Sequence, residues 1–214
     1  LGSLHTCLCM GAGVSQAHGV DRAVGGRKGT VAVIGDSTFL HAGIPGLLNI
    51  AYNRGISTVI ILDNRTTAMT GLQPHAGTGR TLQGQTTKAV DFLALGRALG
   101  IDRVRPIDPY DLKATQQAIA EETQAEEASL LVTTRPCLLL VRAEGRAQAA
   151  ISPEVCTRCG LCFLLGCPAL YVQEVETVNG KALRRPGINL ELCAGCGMCV
   201  QVCTRGAMHL SERQ

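Results

Sequence analysis

Short apolar runs alternate with segments of helical period over the first two-thirds of the chain. Residues 30–35 (TVAVIG) and 57–62 (STVIIL) are β-branched apolar runs, which suit buried parallel strands. Residues 39–54 lie between them with apolar positions at helical spacing, and Gly55 ends that segment. This alternation predicts an α/β fold with a doubly wound, mostly parallel sheet.

Further elements are predicted downstream in the same alternation. A helix capped by Thr86 or Thr87 is expected to stop at Gly100, and a second helix is expected over residues 108–127. The apolar run 137–141 (CLLLV) is predicted to close the series as a strand.

Other segments are predicted to lie outside that alternation. Residues 64–83 are polar and glycine-rich, and a compact domain would not keep so long a loop without a use. Residues 143–152 are small and polar, which is typical of a linker. Residues 171–183 contain two short strand-like runs around an Asn-Gly pair, which favours a β-hairpin.

Length and composition narrow the class of protein. With 214 residues, 46% of them apolar, the chain can form two domains, which we predict as residues 1–145 and 146–214. A net charge of +3 without a long basic run argues against nucleic acid as a partner. No stretch approaches the roughly 18 apolar residues of a membrane span, and the first residues lack a signal-peptide pattern. Together these features predict a cytoplasmic protein without a membrane partner.

Cysteine spacing points to specific chemistry in the second predicted domain. Eight of the 11 cysteines lie beyond residue 155. They form two runs, which are Cys156, Cys159, Cys162, Cys167 and Cys193, Cys196, Cys199, Cys203. Two residues separate the first three cysteines of each run, and Pro168 follows the fourth cysteine of the first run. That is the bacterial ferredoxin pattern, in which the distant fourth cysteine serves the other cluster.

The two runs therefore predict two [4Fe–4S] clusters with exchanged fourth ligands. One cluster is expected on Cys156, Cys159, Cys162 and Cys203, and the other on Cys193, Cys196, Cys199 and Cys167. Two departures stand out, because four residues separate Cys162 from Cys167 and Thr204 replaces a proline after Cys203. Structural zinc and disulfides are the competing interpretations.

A second constellation lies at the ends of the two predicted apolar strands. The first strand leads directly into Asp36, and the second leads directly into Asp63 and Asn64. Neighbouring parallel strands would place Asp36 and Asn64 at matching carboxyl ends, where open α/β sheets bind ligands. Carboxylate and amide oxygens there can hold Mg²⁺, which keeps its other positions for phosphate oxygens. The alternative is that Asp36 is a helix N-cap and Asn64 an ordinary turn residue.

These residues resemble a known enzyme family. Gly35, Asp36 and Ser37 followed by Asp63 and Asn64 look like the thiamine diphosphate motif that begins GDG or GDS and ends in asparagine. The phrases GDSTFLHAG (35–43) and TTAMTGLQPHAGTG (66–79), together with the tandem cysteine runs, resemble the alpha subunit of indolepyruvate ferredoxin oxidoreductase. The resemblance covers nearly the whole chain.

The resemblance implies a reaction and its partners. Members of this family decarboxylate an aryl 2-oxo acid on thiamine diphosphate, pass two electrons through iron–sulfur clusters to ferredoxin and release an aryl-acetyl-CoA. The implied cofactors are thiamine diphosphate, Mg²⁺ and two [4Fe–4S] clusters. The implied partners are a beta subunit, ferredoxin, coenzyme A and the 2-oxo acid.

Residue roles follow from the same resemblance. Asp36 and Asn64 would provide side-chain oxygens to Mg²⁺, and Thr66 a backbone carbonyl. Gly35 and Ser37 would lie against the diphosphate, and the serine in place of a third glycine favours the indolepyruvate branch over the pyruvate branch.

His41 and His75 are the candidates for contact with substrate or cofactor, and each is equally compatible with a packed or exposed histidine. The glutamate that activates the aminopyrimidine in thiamine enzymes has no candidate in this chain. We therefore expect a C-terminal portion, or a chain that relies on another, and no activity from it alone. The alternatives are a pyruvate or other 2-oxoacid ferredoxin oxidoreductase subunit, and an electron-transfer module with a scaffold domain.

Overall fold

The computed structural model of the protein describes residues 4–25, 29–140 and 147–211. These residues form two compact units. Within the described part, the first unit comprises residues 4–25, 29–109 and 113–140, and the second comprises residues 110–112 and 147–211. The domain boundary predicted between residues 145 and 146 lies outside the described residues and stays a prediction.

The first unit is built on a parallel sheet. Its strands are β1 (Val31–Gly35), β2 (Thr58–Asp63), β3 (Arg103–Ile107) and β4 (Ser129–Thr134). They lie in the order β1-β2-β4-β3, and each neighbouring pair is parallel. The predicted α/β fold with a parallel sheet is confirmed.

Helices cover both faces of this sheet. They are α1 (Ala12–Ala23), α2 (Asp36–Thr38), α3 (Ile44–Tyr52), α4 (Phe92–Ala98) and α5 (Leu112–Thr123). A π-helical turn, Phe39–Gly43, joins α2 to α3, and a 3₁₀ turn, Ala68–Thr70, lies in the long loop after β2. The predicted helix between the first two strands is therefore present, although it begins at Asp36 and contains a π segment.

Side chains alternate in direction along the strands, so the hydrophobic core is divided between the two faces of the sheet. On one face, Val14 of α1, Leu47 of α3 and Phe92 of α4 pack with alternate strand residues such as Val59 and Leu130. A smaller cluster on the other face includes Ala118, Ile60 and Leu131. Because helices pack on both faces of the sheet, the carboxyl ends of the strands form a rigid edge. Asp36 directly follows β1 and Asp63 ends β2, so both acidic residues lie at this edge.

The predicted N-cap of the fourth helix is wrong. Asp91 caps α4, and its Oδ1 accepts hydrogen bonds from the backbone N–H groups of Leu93 at 2.8 Å and Ala94 at 3.0 Å. Thr86 and Thr87 are separated from α4 by residues 88–91, which form no regular secondary structure. An aspartate one residue before the apolar period was the better capping candidate.

The predicted closing strand is also wrong. Residues 138–140 form a turn, and the Leu139 side chain is 74% exposed. Val141 of that run lies outside the described residues. The sheet instead uses the preceding β-branched segment as β4, and the helix expected over 108–127 is confined to α5.

The second unit contains two antiparallel pairs. Strand β5 (Gln148–Ile151) pairs with β8 (Met208–Ser211), so part of the predicted linker is a strand. Strand β6 (Leu170–Val178) pairs with β7 (Lys181–Ile188), and this confirms the predicted hairpin.

The hairpin turn between β6 and β7 has the geometry that its sequence favours. Asn179 has φ 50° and Gly180 has φ 75°, which are the left-handed conformations of a two-residue hairpin turn. Elsewhere in the unit, a 3₁₀ helix (Leu161–Leu165) and α6 (Met198–Val202) each carry one cysteine of a run. No helix in the described part of the chain is long and apolar enough to cross a membrane.

Candidate cofactor site and cysteine clusters

Asp36 is buried at the carboxyl edge of the sheet, where β1 leads into α2. Its side chain is 3% exposed. Oδ1 accepts a hydrogen bond from the backbone N–H of Ser37 at 2.7 Å, and Oδ2 accepts one from the backbone N–H of Arg65 at 2.9 Å. Gly35 is the N-cap of α2, so Asp36 is not the capping residue. The loop after β2 therefore folds directly against the Asp36 carboxylate.

A second carboxylate, that of Asp63, lies beside Asp36. Asp63 accepts hydrogen bonds from the Arg65 backbone N–H at 3.3 Å and the Thr134 hydroxyl at 3.2 Å, and Arg65 Nε lies 3.2 Å from its Oδ2. Burial raises the pKa of Asp63, Arg65 opposes the rise, and the charge of Asp36 adds to it. Sequence reasoning noted the position of Asp63 but missed this pairing of two carboxylates.

Asn64 and Thr66 begin the long loop after β2 and are ordered by short-range contacts. Asn64 Oδ1 accepts the Thr66 backbone N–H at 3.1 Å, and the Thr66 side chain is buried. The Thr67 hydroxyl donates to Ser37 Oγ at 2.8 Å, which ties this loop to the start of α2. The structure therefore brings the predicted residues Asp36, Ser37, Asn64 and Thr66 to one edge of the sheet.

Open space lies beside the Cα of Gly35. A Cβ built on Gly35 would meet no atom within 4 Å, and its φ of −73° suits any residue. Neither backbone conformation nor packing in the described residues requires glycine there. The open side of Gly35 fits the close approach of a ligand, as the motif predicts.

The structure separates the two candidate histidines. His41 is exposed on the π-helical turn. His75 is 8% exposed, and its Nε2 lies 3.2 Å from Asp36 Oδ2. The N–H direction is not aligned for a hydrogen bond, and His75 Nε2 is a buried atom without a hydrogen-bond partner among the described residues. The Gly77 backbone N–H donates to His75 Nδ1 at 3.1 Å.

These features fit a divalent cation with an anionic ligand. Two neighbouring buried carboxylates are costly unless positive charge compensates them, and Arg65 is the guanidinium in contact with this pair in the described part of the chain. Oxygen donors from Asp36, Asn64 and the Thr66 backbone are the ligand type that Mg²⁺ prefers. The donor set and the open side of Gly35 therefore match a magnesium–diphosphate group.

Four cysteines of the second unit line one recess. Its lining includes Cys156, Cys159, Cys162 and Cys203, with Leu161, Pro186, Ala207 and Met208 among the apolar neighbours. Burial raises the pKa of the Cys162 thiol, and Cys156 and Cys159 raise it further. This is the set of cysteines predicted for one cluster, including the crossed fourth member.

The four remaining cysteines of the second unit form a second set. Burial raises the pKa of the Cys199 thiol to about 11, and the nearby Cys196, Cys193 and Cys167 sulfurs contribute to the rise. These four are the residues predicted for the other cluster. Such a thiol stays protonated near neutral pH unless a positive centre binds it, and iron is such a centre.

Several backbone donors surround the sulfur of Cys203. Burial alone would raise the pKa of Cys203, but N–H groups from Met208, Arg205, Ala207 and Gly206 outweigh it and lower the pKa. Amide donors to sulfur favour the thiolate, which is the form that binds iron.

The two cysteine runs repeat the same backbone conformations. Arg158 (φ 56°) and Gly160 (φ 79°) follow the first and second cysteines of one run, and Gly195 (φ 67°) and Gly197 (φ 71°) occupy the matching places in the other. Left-handed residues between successive cysteines turn the chain so that their thiols can face one centre. Glycine, which adopts this backbone conformation without strain, occupies three of these four positions.

Disulfides do not account for the cysteines, because all eleven are free. Among the described residues, no three His, Cys, Asp or Glu side chains are gathered as a single metal ion would require. A four-iron core is larger than one ion and separates its ligands further.

Residues 3–133 match the thiamine pyrophosphate enzyme C-terminal TPP binding domain, and residues 148–204 match a 4Fe-4S dicluster domain. The chain therefore belongs to the thiamine pyrophosphate enzyme family and carries a 4Fe-4S dicluster domain after its cofactor-binding domain.

Within that family, the chain is similar to indolepyruvate oxidoreductase subunit IorA. It is 36% identical to the Pyrococcus horikoshii subunit over 226 residues, covering 97% of this chain and 34% of that protein. It is also 36% identical to the Thermococcus kodakarensis subunit over 222 residues, covering 95% of this chain and 33% of that protein. The resemblance inferred from the motifs is confirmed, and the chain spans about a third of the length of these relatives.

Comparison with solved structures supports the fold. A 2-oxoglutarate:ferredoxin oxidoreductase from Magnetococcus marinus superposes with a TM-score of 0.55 at 16% identity, covering 63% of this chain and 48% of that one. At this identity the likeness concerns the fold alone.

Proposed function

We propose that this chain is part of an indolepyruvate ferredoxin oxidoreductase. The proposed reaction is oxidative decarboxylation of aryl 2-oxo acids to aryl-acetyl-CoA, with electrons passing through the 4Fe-4S clusters to ferredoxin. The observation that carries the proposal is the pair of buried carboxylates, Asp36 and Asp63, at the carboxyl edge of the parallel sheet, where open α/β sheets bind ligands. The names of the relatives support the choice of substrate.

We assign the magnesium to Asp36, Asn64 and the Thr66 backbone carbonyl, and the diphosphate to the surface of Gly35 and Ser37. Thiamine diphosphate would supply carbanion chemistry, and the clusters would accept electrons one at a time. Asp36 is held by two backbone N–H groups, so it offers its charge from a fixed position. Arg65 compensates Asp63 and thereby leaves the charge of Asp36 for the cation.

We assign one [4Fe–4S] cluster to Cys156, Cys159, Cys162 and Cys203, and the other to Cys193, Cys196, Cys199 and Cys167. The shared recess supports the first set, and the mutual influence of the sulfurs supports the second. The proposed partners are a beta subunit, ferredoxin, coenzyme A and the 2-oxo acid, in the cytoplasm.

An anaerobic absorbance experiment tests the reaction. The full chain, reconstituted with iron and sulfide, is mixed with its beta subunit, the polypeptide that carries the activating glutamate, thiamine diphosphate, Mg²⁺ and coenzyme A. Its cluster absorbance should fall when indolepyruvate is added. Pyruvate at the same concentration should bleach it far more slowly. Faster bleaching by pyruvate would transfer the assignment to the pyruvate branch, and bleaching by neither would reject the oxidoreductase.

An Asp36→Asn variant tests the cofactor site separately from the clusters. The amide has nearly the same shape but no charge, so Mg²⁺-dependent thiamine diphosphate binding should fall at least roughly 100-fold, while iron and sulfide content stays unchanged. If binding in the variant equals that of the wild type, the first unit is a scaffold and the chain is an electron-transfer module.

A further inference from the structure

We propose that His75 is a positioning residue for Asp36. Its Nε2–H holds Asp36 Oδ2, so that Oδ1 is the carboxylate oxygen left to face the magnesium ion. This inference rests on the proposed function, in which Asp36 is a magnesium ligand.

Counting lone pairs on the Asp36 carboxylate supports this division of roles. Each carboxylate oxygen can accept about two hydrogen bonds or metal contacts. Oδ2 already accepts the Arg65 N–H at 2.9 Å, and His75 Nε2 stands 3.2 Å from the same oxygen. Oδ1 accepts the adjacent Ser37 N–H at 2.7 Å and has no other donor among the described residues. A donor from His75 would therefore saturate Oδ2 and leave one position on Oδ1.

The hydrogen bond at the other ring nitrogen fixes which nitrogen of His75 can donate. The Gly77 backbone N–H donates to His75 Nδ1 at 3.1 Å, so Nδ1 carries no proton. In neutral imidazole the proton is then on Nε2, which is the nitrogen that faces Asp36. A metal ligand oriented by a second side chain in this way is a common arrangement in protein metal sites.

Burial explains why Nε2 needs this partner. His75 Nε2 is buried, and no described atom lies in a direction that completes its hydrogen bond, although Asp36 Oδ2 is within reach. The His75 ring and Phe92 both lie close to the Gly77 backbone, since a Cβ built at Gly77 would approach His75 Cε1 and Phe92 Cζ to 3.0 Å each. The inference requires that the ring turn until Nε2–H points at Oδ2, the carboxylate oxygen 3.2 Å away.

Histidine analogues allow a sharp test of this role. Glutamine can place an N–H near the position of His75 Nε2, whereas asparagine reaches only as far as Nδ1. We compare His75→Gln and His75→Asn in the full chain assembled with its beta subunit. Exposed His209, in β8 of the other unit, provides the matched control His209→Gln.

The measured quantities are the apparent Kd for Mg²⁺ at fixed thiamine diphosphate, the Kd for thiamine diphosphate at saturating Mg²⁺, and the electron paramagnetic resonance spectrum of Mn²⁺ bound in place of Mg²⁺. The asparagine variant should raise the Mg²⁺ Kd by roughly 10-fold to 100-fold and change the Mn²⁺ spectrum. Glutamine should restore most of the affinity, and the control should match the wild type.

Three results would overturn the inference. The first is wild-type Mg²⁺ affinity in the asparagine variant. The second is a higher Kd for thiamine diphosphate at saturating Mg²⁺ in the asparagine variant, which would indicate that His75 contacts the diphosphate. The third is an equal loss in both variants, which indicates a packing role. Failure of the proposed function gives a different result. In that case Asp36→Asn and the wild type would show the same Mg²⁺ and thiamine diphosphate binding.

Discussion

At the scale of single residues, neither packing nor backbone conformation in the described part of the protein requires glycine at position 35. Nothing lies within 4 Å of a Cβ built there, and the backbone is not left-handed. Gly19, on the exposed side of α1, also has open space around a built Cβ but lies on a helix. Alanine substitutions at Gly35 and Gly19 therefore distinguish the effect of an added Cβ on stability from its effect on ligand binding.

Gly35→Ala is expected to keep or slightly raise the free energy of unfolding, by up to about 1 kcal/mol, because alanine restricts the unfolded chain. It should nevertheless weaken thiamine diphosphate binding at least roughly 10-fold, since the methyl group occupies the ligand's side of the motif. Urea denaturation and cofactor titration measure the two effects. Gly19→Ala is the control and should stabilise the chain without changing the cofactor Kd; equal cofactor binding in both variants would contradict the assignment of Gly35.

Sequence reasoning at this scale found the ligand candidates but not their neighbours. Asp36 and Asn64 were predictable because each follows an apolar strand, and strand ends define one edge. His41 and His75 could not be separated, because burial of a loop histidine depends on how the loop folds back. The Arg65 backbone N–H and the Thr67 hydroxyl perform that folding, and neither leaves a pattern in the sequence.

At the scale of secondary-structure elements, a charge cluster joins α5 to β3. Glu122 of α5 is fully buried, and it accepts hydrogen bonds from Arg103 Nε at 2.7 Å and from Arg105 at 3.0 Å. Burial alone would raise the pKa of Glu122, but the hydrogen bonds from Arg103 and Arg105 outweigh it and lower the pKa. The neighbouring Glu121 is exposed and also contacts Arg105.

Glu122→Gln is expected to lower the free energy of unfolding by roughly 1–3 kcal/mol near neutral pH, because two guanidinium groups lose a buried partner. A carboxylate with a lowered folded pKa stabilises the protein above its unfolded pKa, and this stabilisation is lost as the pH falls through the folded value. The difference between wild type and variant should therefore be constant above about pH 5 and shrink below it. Urea denaturation across this range measures the difference.

Glu121→Gln is the matched control on the same helix, and it should produce a smaller change because that carboxylate is solvated. A difference between Glu122→Gln and wild type that grows on acidification would contradict the sign of the pKa shift.

Elements were predictable where their apolar pattern was uniform. Helix α1 was missed because its buried positions include His18 and Asp21, so the helical period is not apolar. Strand β3 (RVRPI) was missed because its arginines and Pro106 look unlike a strand, although an edge strand tolerates both. The run CLLLV looked like a strand, yet its described leucines are exposed.

At the scale of the whole molecule, the tandem cysteine runs predict the metal content. The reconstituted chain should contain close to eight iron and eight sulfide, as two four-iron cores. Cys203→Ser should disturb the same cluster as Cys156→Ser, because both belong to one recess. The two variants should then leave the same residual electron paramagnetic resonance spectrum after reduction, while Cys7→Ser, at an exposed cysteine of the other unit, should match the wild type.

Cys196→Ser decides between the crossed and the uncrossed ligand sets. Agreement of the Cys203→Ser spectrum with that of Cys196→Ser, rather than with Cys156→Ser, would show that each run holds its own cluster. Iron and sulfide near four each in the wild-type chain would contradict the two-cluster prediction.

The cysteine unit was the most predictable part of the chain, since ligand spacing along a short segment leaves few geometries. Its departures from the ferredoxin pattern are local, because Cys162 and Cys167 still belong to separate sets despite the longer spacing. The strand within the predicted linker was not foreseeable, as β5 is ordered by its partner β8 near the other end of the unit.

Translation delivers Cys203 last among the cysteines that line the first recess. By then the ribosome has already made the hairpin and the three preceding members of the second run. The first recess therefore lacks one of its cysteines during synthesis, and the cluster proposed for it can be completed only after the second run has emerged. Under the proposed ligand assignment, maturation of the two cores is thus tied together in time, and a nascent chain stalled before Cys203 would expose thiols to oxidation.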